Sequence, residues 1–291
     1  QRQMCIRDSF MAPCFGTIAR IARGNGHTKV LCQIDNVEPH EHHLTDKPFN
    51  RYYLHSVDGF VYMSEQVHSE LRAYSDAPAL FSPHPLFENF GERVERSEAC
   101  VRLGLDPANR YVLFFGLIRD YKGLDLLLDA WAQLRRAGRT EGRRLIVAGE
   151  FYTAREPYLN RIADNGLQDE VLLHDRFIPD DDVKYYFSAA DFVVQPYKTA
   201  TQSGVTQIAY QFCVPMVVTK VGGLAEIVPD GRVGYVCEPT PEGVAGAIER
   251  MYEGDTLQRF RENCVEERRR FSWEEMCSRI TELYGLVASG K

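Results

Sequence analysis

From Tyr111 onward, short apolar runs alternate with segments whose apolar residues recur at helical spacing. The runs are "YVLFFGL", "RRLIVAG", "EVLLH", "DFVVQPY", "PMVVTKV" and "GYVCEP". A strand with one wet face would alternate apolar and polar residues. These runs do not, so they predict strands buried on both faces, as in a parallel sheet covered by helices above and below. The intervening helices are predicted over 122–136, near 155–165, from 179–182 onward, over 203–212 and, briefly, over 223–227. Leu124, Leu127, Leu128, Trp131 and Leu134 give the first its apolar stripe. The aspartates at 180–182 suit the positive end of the third. Three helical segments close the chain, the last near 273–286. The fold class is α/β.

The first hundred residues hold a shorter version of the same pattern. "GTIARIARGNG" reads as a helix stopped by glycines, and "TKVLCQI" and "VDGFVYMS" as strands. "SEQVHSELRAY" is a helix capped by Ser64, and "ALFSPHPLF" a third strand running into prolines. That is too few strands for a full doubly wound domain. The polar, turn-rich stretch "ENFGERVERSEACVRLGLDPANR" separates this unit from the next, giving expected domains of 1–95 and 96–291. The opening "QRQMCIRDS" lacks an initiating Met and leads into nothing regular. It reads as the edge of a fragment or a junction and carries no weight in the fold.

With 291 residues, 44% hydrophobic and 26% charged, the chain has the balance of a globular protein. Its net charge of −7 argues against nucleic acid as a partner, so any anion site must be local. None of the eight cysteines forms a CxxC pair, and Cys32 and Cys213 lie inside apolar runs. Reduced, buried thiols of a cytoplasmic protein are expected. No apolar run reaches the roughly 18–20 residues that span a bilayer.

The stretch "FFGLIRDYKG" combines a strand end, two glycines and two cations ahead of a helix. Ligands of open α/β sheets sit beyond the carboxyl ends of the strands, and helix N-termini attract phosphate. Gly116 lets backbone approach a ligand, Arg119 offers a fork of donors and Lys122 a point charge. Taken alone, the spacing fits two solvated loop cations equally well. Two further turns of similar character follow. "ATQSGV" places Ser203, Gly204 and Val205 at a helix start, another strand-end nest of N–H groups, although Ser would serve as an ordinary cap in any case. "VGGLAEIV" follows the next strand. Three anion-friendly turns at neighbouring strand ends suggest one extended ligand carrying a diphosphate.

Taken in order, "FFGLIRDYKGLDLLLDA", "LIVAGE", "FIPDDDVKYYFSAADFVVQPY", "QSGV", "PMVVTKVGGLAEIV" and "FSWEEMCSRITELY" resemble the second domain of the family 4 retaining glycosyltransferases of GT-B fold, the glycosyl transferases group 1. The likeness covers about residues 111–286. "DNVEPHEHH", "VDGFVYMSEQVHSEL" and "SPHPLFENFG" resemble the latter half of those enzymes' first domain, without the strands and glycine loop that usually precede it. The resemblance implies two Rossmann-like domains facing across a cleft: an incomplete acceptor-side domain, 1–95, and a nucleotide-sugar domain, 96–291, with the last helix returning to the first.

It also implies roles. Arg119 and Lys122 hold the diphosphate of a nucleotide-sugar donor, and Gly116 lets backbone approach it. Ser203, Gly204 and Val205 offer N–H groups to phosphate or sugar. Phe177 and Ile178, within 176–179, face the base, and Glu150 lies along the nucleotide. His40 touches sugar or acceptor. As a zinc site, "PHEHH" is weak without a helical frame. The implied reaction moves a sugar to a saccharide or lipid-linked acceptor with retention, in polysaccharide or cell-envelope synthesis. It needs no metal and no cofactor besides the donor substrate, in a cytoplasmic protein with peripheral contact at the inner face of the membrane.

One departure stands out. The family's two glutamates would fall at Thr201 and Ile208, with Gln202 and Gln207 beside them. The chain either belongs to a subgroup with a "TQSGV" solution or carries a decayed site. Two other readings stay open: a nucleotide-sugar epimerase of the same fold, and a nucleotide-sugar binder without transferase activity.

Overall fold

The structure, a computed structural model, describes residues 12–37, 46–200 and 202–289. These fall into two compact units: Leu86–Arg270, and Gln1–Pro85 joined by Phe271–Lys291.

In the smaller unit, strands β1 (Leu31–Ile34), β2 (Gly59–Tyr62) and β3 (Ala79–Phe81) form a parallel sheet in that order. Residues of β2 point alternately to two apolar layers. Phe60 and Tyr62 join Ile34, Leu54, Val67 and Leu71 on one face, which carries α2 (Asp46–Leu54) and α3 (Glu65–Arg72). Val61 and Met63 join Met276, Leu283 and Val287 of α12 (Trp273–Ser289) on the other. A side chain at Gly59 would come within 2.8 Å of Val287, so the chain's last helix lies directly on β2. Helix α1 (Ala12–Arg23) packs on α2, and Gly16 leaves room for the Tyr52 ring.

The larger unit is a six-stranded, all-parallel sheet in the order β6-β5-β4-β7-β8-β9. The strands are β4 (Arg110–Phe115), β5 (Arg143–Ala148), β6 (Val171–His174), β7 (Phe192–Gln195), β8 (Met216–Thr219) and β9 (Gly234–Cys237). Val112 and Phe114 face one layer, with α5 (Leu124–Arg136) and α10 (Pro241–Met251). Phe115 faces the other, where its ring meets Phe187 of α7 (Asp180–Ala189) at 5.1 Å. Burial on both faces explains why these strands read as unbroken apolar runs.

The expected boundary at 95/96 shifts to Leu86. Residues after Leu86 belong to the larger unit because they are bonded to it: Val94 N–H donates to Ser188 Oγ at 3.1 Å, and Arg93 donates to Phe212 O at 3.3 Å. Two helices were not anticipated. Helix α2 has only a narrow apolar edge, and α4 (Arg96–Leu103) lies in the stretch expected to be turns. Half of α4 is polar, and only Ala99 and Cys100 are buried. Its packing against α7 decides its state.

Trp131 of α5 is fully buried, and its indole N–H donates to Glu170 Oε2 at 2.8 Å. Trp131→Ala should cost about 3–5 kcal/mol of unfolding free energy by urea titration, the range for excising a large core aromatic.

Candidate functional site

The chain runs outward from β4 through β5 to β6, then returns to the other side of β4 to build β7, β8 and β9. Connections therefore leave the carboxyl ends of β4 and β7 in opposite directions, opening a crevice between them. Gly116 ends β4, and Ser203 follows β7. The topology brings these two motifs together although 87 positions separate them (203 − 116).

The loop after β4 is pinned along its length. Gly116 N–H donates to Ala148 O at 2.9 Å, Ile118 N–H to Glu150 O at 2.8 Å and Tyr152 N–H to Ile118 O at 2.9 Å. This short bridge prolongs the β4–β5 pairing beyond the strands. It forces Gly149 close to Gly116, where a Cβ would lie 2.0 Å from the Gly116 carbonyl oxygen. The 3₁₀ turn Asp120–Lys122 follows, and Gly123, at φ +69°, opens α5. A Cβ there would lie 1.9 Å from Pro196 O. Lys198 ties the other side: its N–H donates to Tyr121 O at 2.7 Å and its Nζ pairs with Asp125 at 2.7 Å.

Helix α8 (Gly204–Gln211) starts from a capped turn. Ser203 Oγ accepts from Val205 N–H at 3.2 Å and bonds the buried Tyr197 hydroxyl at 3.1 Å. Lys122 Nζ lies 3.2 Å, and Val205 Cγ2 3.6 Å, from where a Cβ on Gly116 would be. Lys122, Gly116 and the start of α8 thus form one cluster. Aromatic rings flank both cations: Arg119 Cζ is 5.3 Å from the Tyr152 centroid and Lys122 Nζ 5.8 Å from that of Tyr197. Among the described residues neither cation is ion-paired, unlike Lys198 nearby. Burial, reinforced by the Arg119 charge, lowers the Lys122 pKa from 10.5 to about 8. Two positive charges held together without a counter-ion favour an anion between them.

The remaining predicted residues are placed differently. Glu150 follows β5 and contributes its backbone carbonyl to the loop bridge. Phe177 is exposed and Ile178 buried, so the Ile178 side chain serves the core while Phe177 meets solvent. Both follow β6, the edge strand, and connect to the loop bridge through the bond from Gly149 N–H to His174 O at 3.1 Å. His174 Nδ1 lies 2.8 Å from the Tyr186 hydroxyl, and burial lowers the His174 pKa. The third glycine turn forms a single-turn helix, α9 (Leu224–Ile227), after β8. His40, Glu41, His43 and Thr201 lie outside the described residues. Gln207 is buried, and its Oε1, like Gln202 Nε2, has no hydrogen-bond partner among the described residues. Both amides leave hydrogen-bonding capacity beside α8. The sequence reading missed Tyr152 and Tyr197, which stand next to the two cations. Tyr197 had been absorbed into the predicted strand "DFVVQPY", although β7 stops at Gln195.

Solved structures share this architecture. Sucrose-phosphate synthase of Thermosynechococcus elongatus superposes with a TM-score of 0.75 at 20% identity, covering 95% of this chain and 72% of that one. Anabaena HepE in complex with UDP gives 0.76 at 18% identity, covering 94% and 76%. The fold is that of the GT-B glycosyltransferases, built from Rossmann-like units. The profile of one family, glycosyl transferases group 1, matches residues 109–254, and the chain belongs to that family. D-inositol 3-phosphate glycosyltransferase 2 of Catenulispora acidiphila is 31% identical over 245 residues, which are 79% of this chain and 56% of the relative. The chain spans about half the length of the curated relatives it matches.

Two outcomes follow from this geometry. Gly123→Ala should lower stability by at least about 1–3 kcal/mol, since it combines a positive φ with a backbone clash; thermal or urea unfolding measures it. Lys122 binds its proton less tightly folded than unfolded. The unfolded chain therefore holds more protons between pH 8 and 10.5, and stability rises with pH across that window. Urea titrations at the two ends of the window should show wild type gaining on Lys122→Met as pH rises.

Proposed function

We propose that the chain is the donor-binding part of a retaining glycosyltransferase that moves a sugar from a nucleoside-diphosphate sugar to a saccharide or lipid-linked acceptor. The observation that carries this reading is the unpaired Arg119–Lys122 couple beside Gly116 and the capped start of α8. Membership in the glycosyl transferases group 1 supports it, as do a relative named as a glycosyltransferase and a structural neighbour that holds UDP.

The diphosphate lies across Gly116, with Arg119 and Lys122 on its oxygens and the N–H groups of Ser203 and Gly204 directed at it, while Val205 N–H is held by Ser203 Oγ. Glu150 runs along the nucleotide, and Phe177 and Ile178 border the base. When the anomeric carbon–oxygen bond breaks, the sugar gains oxocarbenium character and negative charge grows on the leaving phosphate. Cations already in position stabilise that charge more in the transition state than in the ground state. They supply the positive charge for which other enzymes use a divalent ion, so chelators should leave turnover unchanged. His40 is assigned to the sugar or acceptor. Gln202 and Gln207 take neutral hydrogen-bonding roles at the edges of the positions where the family carries glutamates. The protein works in the cytoplasm, with peripheral contact at the inner face of the membrane. No helix among the described residues is long and apolar enough to cross a membrane.

A unit charge at ~4 Å and an effective dielectric of ~20 is worth about 4 kcal/mol. With half of that realised, Arg119→Ala and Lys122→Ala should each lower kcat/KM roughly thirtyfold, with far smaller changes in Tm. Equal proportional losses of activity and stability would overturn the assignment. A thermal-shift screen with UDP-, GDP- and ADP-sugars identifies the base, and release or transfer of radiolabelled sugar separates a transferase from a binder that never turns over.

A further inference from the structure

A second polar cavity, of about 260 Å³, lies in the larger unit at the opposite end of the sheet. Its floor is Arg110, the first residue of β4, and Asp191, just ahead of β7. Its walls are Tyr252, after α10, and Gln258 and Arg261 of α11 (Thr256–Glu267).

Asp191 is buried and already engaged. It accepts Tyr111 N–H at 2.9 Å, and its other oxygen faces Arg110 at 3.3 Å and Arg261 at 4.0 Å. One carboxylate therefore meets two guanidinium groups. Three more arginines stand close by, none of them paired with a carboxylate among the described residues. Arg93 donates to Phe212 O, Arg96 to Pro107 O and Asn109 O, and Arg143 stacks on the Tyr252 ring at 4.0 Å. The only other acidic lining residue, Asp255, is an exposed rim residue paired with Arg259. The local balance is strongly positive in a chain that is acidic as a whole.

Two polar atoms of the lining are buried without partners among the described residues: Arg261 Nε and the Tyr252 hydroxyl oxygen. Burial, then the Arg93 charge, disfavours the charged form of Arg261. Burial, then the nearby Asp191, raises the Tyr252 pKa, so the hydroxyl keeps its proton and remains a donor. Buried donors without acceptors are costly and rare in folded proteins. A ligand that completes this site must bring acceptors and negative charge.

We infer that this cavity binds a small oxyanion of phosphate size, held by Arg110, Arg261 and the Tyr252 hydroxyl, separately from the Arg119–Lys122 site. The oxyanion fills the electrostatic deficit left by Asp191 and gives both orphan donors an acceptor. Its binding links α10 and α11 to the amino-terminal ends of β4 and β7.

Inorganic phosphate is the probe. Thermal unfolding of the chain is followed against phosphate, with chloride holding ionic strength constant. The expected result is a saturable rise in Tm that persists in Lys122→Ala, which lacks a cation of the other site. Tyr252→Phe, which removes only an unpartnered hydroxyl, should weaken the apparent affinity about tenfold, the effect of one hydrogen bond to a charged group. Arg110→Gln should weaken it at least as much. The inference is overturned if no saturable shift occurs, if the shift disappears in Lys122→Ala, or if Tyr252→Phe and Arg110→Gln keep the wild-type midpoint.

Discussion

Arg119 and Lys122 repel one another, and the fold holds them together with no carboxylate among the described residues paired to either. Each part of the surrounding architecture acts to sustain that arrangement. The Ile118–Phe151 bridge fixes the loop on one side, the Lys198 bonds fix it on the other, and Gly123 lets α5 begin against the Pro196 carbonyl. The depressed Lys122 pKa records the cost. A site strained electrostatically when empty and relieved by an anion binds that anion more tightly than two solvated lysines or arginines would.

The aromatic neighbours fit the same logic. Tyr152 and Tyr197 offer ring faces to the cations, which lessens their desolvation without neutralising them. A carboxylate in either place would have paired with a cation and offset its charge. Tyr197 also bonds the Ser203 cap, so the ring beside Lys122 and the start of α8 form one connected piece. The far end of the same sheet follows the opposite rule. There Asp191 is shared among arginines and serves the β4–β7 junction, yet it leaves donors over.

Much of the larger unit was legible because burial on both faces leaves no polar alternation, and because α5 carries an uninterrupted apolar stripe. The loop that carries Arg119 and Lys122 was legible because Gly116 and Gly123 mark turns that only a particular backbone path requires. Helices α2 and α4 were not, since few of their apolar residues are buried and their packing partners lie far away in sequence. Tyr197 was missed because an aromatic after an apolar run looks like one more strand residue. Ile178 is buried beside the exposed Phe177, a difference that packing sets and that no local pattern shows.

Local chemistry written in the chain determined the alternation of strands and helices, the glycine-bearing turns and the identity of the two cations, since each depends only on neighbours within a few residues. Tertiary structure alone decided that Gly116 and Val205 meet, that Lys122 finds no ion-pair partner among the described residues, and that Asp191 gathers arginines from distant segments. Those outcomes depend on which strands lie side by side, and strand order is set by long-range packing that no local pattern encodes.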